Sequence, residues 1–256
     1  MVISRGVIAR YNQALTDISD ATKAQLVQRL YELDWDRPVA EVRRDIEVVM
    51  QATCGASAET SARLAADFYD GISALYAEEY YYGTTMTSSS PYRAKVDSMR
   101  DPKATDGAVR AFVQDLVDGK GPDAVIEQCA QRLDYESRRA ANMCTYTNLR
   151  NDPRKPKWAR VPTGPETCEF CIMLASRGFA YHSEESASHV HANCDCRIVP
   201  GFAGATSVDG YDPAYYEDVY RHPDEHPEVQ DAINARRREL RAIRRDEAAG
   251  ELPDGE

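Results

Sequence analysis

Four of the chain's seven cysteines and three of its five histidines fall in one short stretch, TCEFCIMLASRGFAYHSEESASHVHANCDCRIVP. Cys168 and Cys171 form a C-x-x-C step, and His191, Cys194 and Cys196 form an H-x-x-C-x-C run. Thiolates and imidazoles so spaced suit a tetrahedral zinc ion, because C-x-x-C curls two sulfurs onto one centre and a second short-spaced group closes it from a distant loop. In an extended segment Cys194 and Cys196 point to the same face, since strand side chains alternate with period two. Cys168, Cys171, His191, Cys194 and Cys196 are thus five candidates for four positions, one of them spare; His182 and His189 lie outside the run. Two disulfides or plain buried thiols are the competing readings. Clustering favours a structural zinc, because Cys54, Cys129 and Cys144 are scattered singly through helical patterns as small apolar core residues.

Other reactive residues carry less. Glu184 and Glu185 could act as acid or base beside a metal, but solvated loop carboxylates are the plainer reading, with neither H-E-x-x-H nor a deaminase pattern present. Ser176 and Ser183 stand near His182 and His191 in sequence, yet no G-x-S-x-G elbow occurs, and a triad is defined by geometry. No catalytic residue is assigned. Pro223 and Pro227 forbid the helix that would bring His222 and His226 together. Arg236, Arg237, Arg238, Arg241, Arg244 and Arg245 are the one basic concentration on a chain of net charge −11. They suit the phosphates of a nucleic acid or an acidic protein surface, or else a solvated helix with internal Glu–Arg pairs.

The elements that must position these residues are mostly helical. Ile8, Tyr11, Leu15, Ile18, Leu26 and Leu30 recur at intervals of three and four, one face of a helix over 5–33. A second helix is expected from Asp36-Arg-Pro38 to about residue 53, ended by Gly55, and a third from a Ser57 cap through Leu64, Phe68 and Ile72. The Tyr80–Tyr82 run reads as a half-buried helix end or subunit contact, and 84–91 as a polar loop. A short helix is expected from Asp106, and Pro122 opens a long one to about Leu149. Asn151–Lys157 reads as a stiff, exposed connector. Beyond it Trp158–Pro162, Phe179–Tyr181 and Cys196–Val199 are strand candidates, with a helical turn at 172–176 ended by Gly178. A short helix holding Tyr215–Tyr220, a basic helix from Glu228 and a flexible tail complete the chain. The expected fold is mainly α: a helical bundle or array over 1–150, a small zinc-stabilised α+β module over 151–205, and a polar linker, basic helix and tail over 206–256.

With 43% hydrophobic and 29% charged residues, the composition is that of an ordinary globular protein. No apolar run reaches the ~20 residues of a membrane span. The first residues carry no secretory pattern, so a reducing compartment is expected, which favours metal over disulfide. No small-molecule substrate is evident.

The run WARVPTGPETCEFCIMLASRG at 158–178, followed by HANCDC at 191–196, resembles the Mu protein F-like minor capsid proteins. These are head morphogenesis proteins of tailed phages, and the actinobacterial-phage type is sometimes labelled capsid maturation protease. Ala192 stands where that pattern usually has proline, which loosens the turn and removes no ligand. The resemblance is specific over 150–215. It implies a minor capsid protein acting in head morphogenesis at the portal and capsid interior, with portal and major capsid or scaffold proteins as partners. Its place would be the virion, and the host cytoplasm during assembly. A capsid maturation protease and a DNA-binding zinc module are the alternatives.

Overall fold

The computed structural model describes residues 2–75, 95, 99–164, 167–181, 190, 194–202, 206–229 and 231. The first apolar stripe forms α1, Arg5–Tyr31, which opens at Ser4, whose hydroxyl accepts a hydrogen bond from the Gly6 amide. α2 then runs unbroken over Val39–Leu75, where a break at Gly55 was expected. Gly55 is instead a packing position: a Cβ there would stand 3.4 Å from the Arg100 guanidinium. Ser57, expected as a cap, is buried mid-helix and shares a 2.5 Å hydrogen bond with Ser137. Burial of both halves of α2 outweighs the local preference of one glycine, which is worth only about 1 kcal/mol.

α3 spans Pro102–Val117, with Asp101 accepting from the Ala104 amide at its start. It begins earlier than expected, because proline at the first helical position and aspartate before it make a stronger start than Asp106. Asp106 instead accepts from Gln51 across to α2. α4, Pro122–Asn151, lies against α2 over most of its length.

The helices close two apolar clusters. Leu26 and Leu30 of α1, Ile46 and Met50 of α2, Val113 of α3 and Leu133 of α4 fill one end. The other holds Ile8, Tyr11, Tyr69 and Ala141 together with Trp158, Val161, Ile198 and Phe202. It therefore continues from the bundle into the cysteine-bearing segment without interruption. Two strands carry that continuation: β2, Lys157–Pro162, and β3, Cys196–Gly201, pair antiparallel, with Lys157 opposite Gly201 and Pro162 opposite Cys196. Of the third strand candidate, Tyr181 alone bridges, to Trp158.

The connector ahead of β2 is held rather than loose. Asp152 is fully buried and accepts from the Arg154 guanidinium and the Tyr69 hydroxyl, while Arg154 also lies 4.2 Å over the Phe202 ring. Short β1, Val2–Ile3, pairs parallel with β4, Ser207–Val208, and Arg5 donates to the carbonyls of Gly210 and Pro162. α5, Glu169–Ala175, and α6, Pro213–Arg221, complete the regular elements used below.

Candidate metal centre

Cys168 is the residue before α5 and Cys171 lies in its first turn, so one turn of helix brings both to the same end. Cys196 opens β3, and Cys194 lies two residues before it. All four are buried and form one cluster. The Sγ atoms of Cys171 and Cys194 are 3.9 Å apart, those of Cys171 and Cys196 2.7 Å, and those of Cys194 and Cys196 3.0 Å. A tetrahedral ion with metal–sulfur bonds of about 2.3 Å has sulfur–sulfur edges of about 3.8 Å. One pair already matches that edge, and Cys196 needs to move outward by roughly 1 Å for the others to match. Among the described residues the cysteines stand as thiols, not as disulfides. Cys171, Cys194 and Cys196 can hold a metal ion, and the donor set is chemically suited to one.

Without a metal these thiols share protons. The Cys171 thiol is pushed well above the usual range by hydrogen bonds with Cys168, Cys194 and Cys196 and then by burial. Cys196 is raised chiefly by burial. An ion must displace those protons, so binding is favoured by higher pH and opposed by acid.

The backbone around the sulfurs is held from both sides. The Cys194 carbonyl accepts from Arg138 at 2.5 Å and from Arg197 at 2.9 Å, and Arg197 also donates to the Cys196 carbonyl at 2.7 Å. Arg138 is in turn held by Asp134 of its own helix, whose other oxygen accepts from Ser19 of α1. The bundle thus grips the loop that presents Cys194. On the other side, Asp195 accepts from the Thr163 hydroxyl through its carbonyl and from Thr167 through its carboxylate. Gly164 leaves room for this carboxylate, since a Cβ there would sit 2.9 Å from Asp195 Oδ2.

α5 is fixed by two tyrosines at its far end. Tyr181 donates to the Leu174 carbonyl and Tyr211 to that of Ala175. Gly178 follows with φ +61°, the left-handed cap expected there, and Gly201 lets the Phe179 ring lie where a Cβ would be 2.5 Å away.

Arg160 is completely buried. Alternation along β2 and the pairing of Arg160 with Ile198 and Pro162 with Cys196 put it on the Cys196 face of the sheet. Its guanidinium feels all four cysteines, Cys196 most, and its pKa is raised although burial acts against the charge. Arg197 lies on the opposite face, where burial and then the neighbouring Arg138 lower its pKa.

Of the five expected ligands, Cys171, Cys194 and Cys196 lie within reach of one ion, and Cys168 is buried in the same cluster. His191 lies outside the described residues, as do His182, His189, Glu184, Glu185 and Ser183, and so do Arg236, Arg237, Arg238, Arg241, Arg244 and Arg245. The Ser176 hydroxyl donates to the Met173 carbonyl. His222 and His226, kept off a common helix by their prolines, nevertheless meet at one carboxylate: they bond the two oxygens of Asp218 at 2.8 and 2.9 Å. Residues missed from sequence were Arg138, Arg160 and Arg197. Arg160 alone left a signal, a charge amid an apolar strand.

Fold and site together define a mainly α-helical protein closed around a buried four-cysteine cluster. The chain belongs to the VG15 protein family, which matches it over residues 2–222. It is 29% identical over 217 residues to the Gene 15 protein of Mycobacterium phage D29, covering 70% of this chain and 74% of that one. It is 26% identical over 184 residues to the Gene 15 protein of Mycobacterium phage L5, covering 56% of this chain and 59% of the relative. The family is thus one of phage proteins. No solved structure matches the chain significantly. Among the described residues no helix is long and apolar enough to cross a membrane.

Proposed function

We propose that this protein is a minor capsid protein of a tailed phage or prophage, acting in head morphogenesis at the portal and capsid interior, with a structural zinc in its cysteine cluster. The observation that carries the reading is the cluster itself. The C-x-x-C and C-x-C of the Mu F-like pattern meet as four buried sulfurs within a phage protein family. A site whose sulfurs are all buried suits a structural ion, because a catalytic zinc keeps a position open to water or substrate. The centre would lock the two-stranded sheet to α5 and present the surrounding surface to portal, major capsid or scaffold proteins. The basic segment at 236–245 would meet packaged DNA or an acidic capsid face. Particle assembly from the portal, scaffold and major capsid genes of the same phage tests this. The protein should sediment with procapsids, and a Cys171→Ser/Cys196→Ser double variant should not. Procapsids that never contain the wild-type protein would refute the role.

A further inference from the structure

The five ligand candidates left the composition of the site open, and the geometry around the sulfurs narrows it. We propose that the ion is held by Cys168, Cys171, Cys194 and Cys196 alone, and that the buried Arg160 guanidinium balances this tetrathiolate and sets how tightly it keeps its metal. The inference rests on the metal reading above and adds to it a ligand set and a residue that governs affinity.

The ligand set follows from the convergence. Three sulfurs already lie within reach of one ion, and Cys168 belongs to the same buried cluster and shares a hydrogen bond with Cys171. With Cys168 drawn in as the fourth sulfur the tetrahedron is complete, and His191 is then not needed as a ligand.

Four thiolates around a divalent ion carry a net charge of −2, and such a charge is costly to bury without a counter-charge. Arg160 is placed to supply one. It is on the Cys196 face of the sheet, two residue pairs along from the Pro162–Cys196 pair, and it is completely buried. A guanidinium remains protonated at any physiological pH, so the compensation is permanent. The other buried arginine of the sheet, Arg197, lies on the opposite face and spends hydrogen bonds on the carbonyls of Cys194 and Cys196. It shapes the loop, whereas Arg160 faces the charge. A carboxylate in Arg160's place would repel the thiolates, and an apolar residue would leave their charge uncompensated. This accounts for the one charged residue in the otherwise apolar run from Trp158 to Pro162.

The test uses the full chain, with zinc affinity measured at neutral pH by competition against a chromophoric chelator, and cobalt(II) loading to read the ligands. Wild type should bind zinc and give the cobalt charge-transfer and ligand-field bands of four thiolates. His191→Ala should leave both unchanged. Arg160→Gln should weaken zinc by roughly 10- to 100-fold, the range for groups that support ligands from behind, and Arg160→Lys should stay within a few-fold of wild type. Exposed Arg63→Gln is the control and should have no effect. A cobalt spectrum that shifts in His191→Ala overturns the ligand set. An Arg160→Gln protein that binds zinc as wild type does overturns the role of Arg160. If Arg160→Gln loses its helical circular dichroism, Arg160→Lys decides: near-wild-type affinity supports charge balance, and a tenfold or greater loss overturns it. A wild-type chain that takes up neither zinc nor cobalt removes the metal reading itself, an outcome separate from the others.

Discussion

Cys196 joins two roles in one side chain: it lies within 3.0 Å of two other sulfurs, and it begins the strand that the bundle holds. On the zinc reading proposed above, Cys171→Ser and Cys196→Ser should each leave purified protein without zinc by elemental analysis, while Cys129→Ser, in a separate apolar cluster, should retain it. Gly164→Ala is a gentler probe. The added methyl meets the Asp195 carboxylate, and a clash of this kind costs about 1–3 kcal/mol, visible as a lower denaturation midpoint in urea. The cysteines were legible from sequence because ligand chemistry confines them to a few spacings. Arg138 and Arg197 were not, because their partners are backbone carbonyls 56 and 3 residues away, and no residue type announces a carbonyl that needs a donor.

The helices were legible wherever an apolar stripe ran long, and the error at α2 shows what overrides a local signal. Gly55 is helical because residues before and after it bury against different neighbours of the same bundle. Gly55→Ala should therefore stabilise the protein by up to about 1 kcal/mol in urea unfolding, since the new methyl meets only the movable end of Arg100. At the junction of α4 and β2, the Asp152 carboxyl is held below its usual range. Burial acts to raise it, and hydrogen bonds from Arg154 and Tyr69 outweigh that. A depressed folded-state pKa contributes stability above the unfolded-state value, near 4, that is lost as pH falls through the folded one. Asp152→Asn should cost about 1.5–3 kcal/mol at pH 7, the range for a hydrogen bond to a charged group, by leaving Arg154 without its carboxylate. The gap from wild type should persist down to about pH 4 and narrow below it, as urea titrations across pH would register. The connector's prolines and basic residues signalled a loop, but a buried carboxylate within it could be recognised only with Tyr69 and Phe202 beside it.

Across the molecule, one apolar cluster runs from Ile8 and Tyr69 to Trp158 and Ile198. Residues 5–150 expressed alone should accordingly be helical by circular dichroism yet bind a hydrophobic dye and melt broadly, because the face that meets the sheet is uncovered. If the proposed metal is bound, stripping it from the full chain should lower the temperature of one cooperative transition, not remove an early one, when followed by calorimetry. Two separate transitions would argue that the cysteine segment folds on its own. That shared core was the part least open to a sequence reading: the stripes marked which faces are buried, and only the tertiary packing shows that α1, α2 and α4 lie against β3.

Arg5 reaches a carbonyl 205 residues further along the chain, and the strand beside it has its partner there as well. During synthesis this edge must therefore wait until nearly every described residue has left the ribosome. Contacts so distant are entropically late, and whatever precedes them stays exposed in the meantime. Completion of the fold thus depends on synthesis at least through residue 210: a product terminated earlier lacks the seam that ties the start of α1 to β4, and it should be the version that aggregates or is degraded.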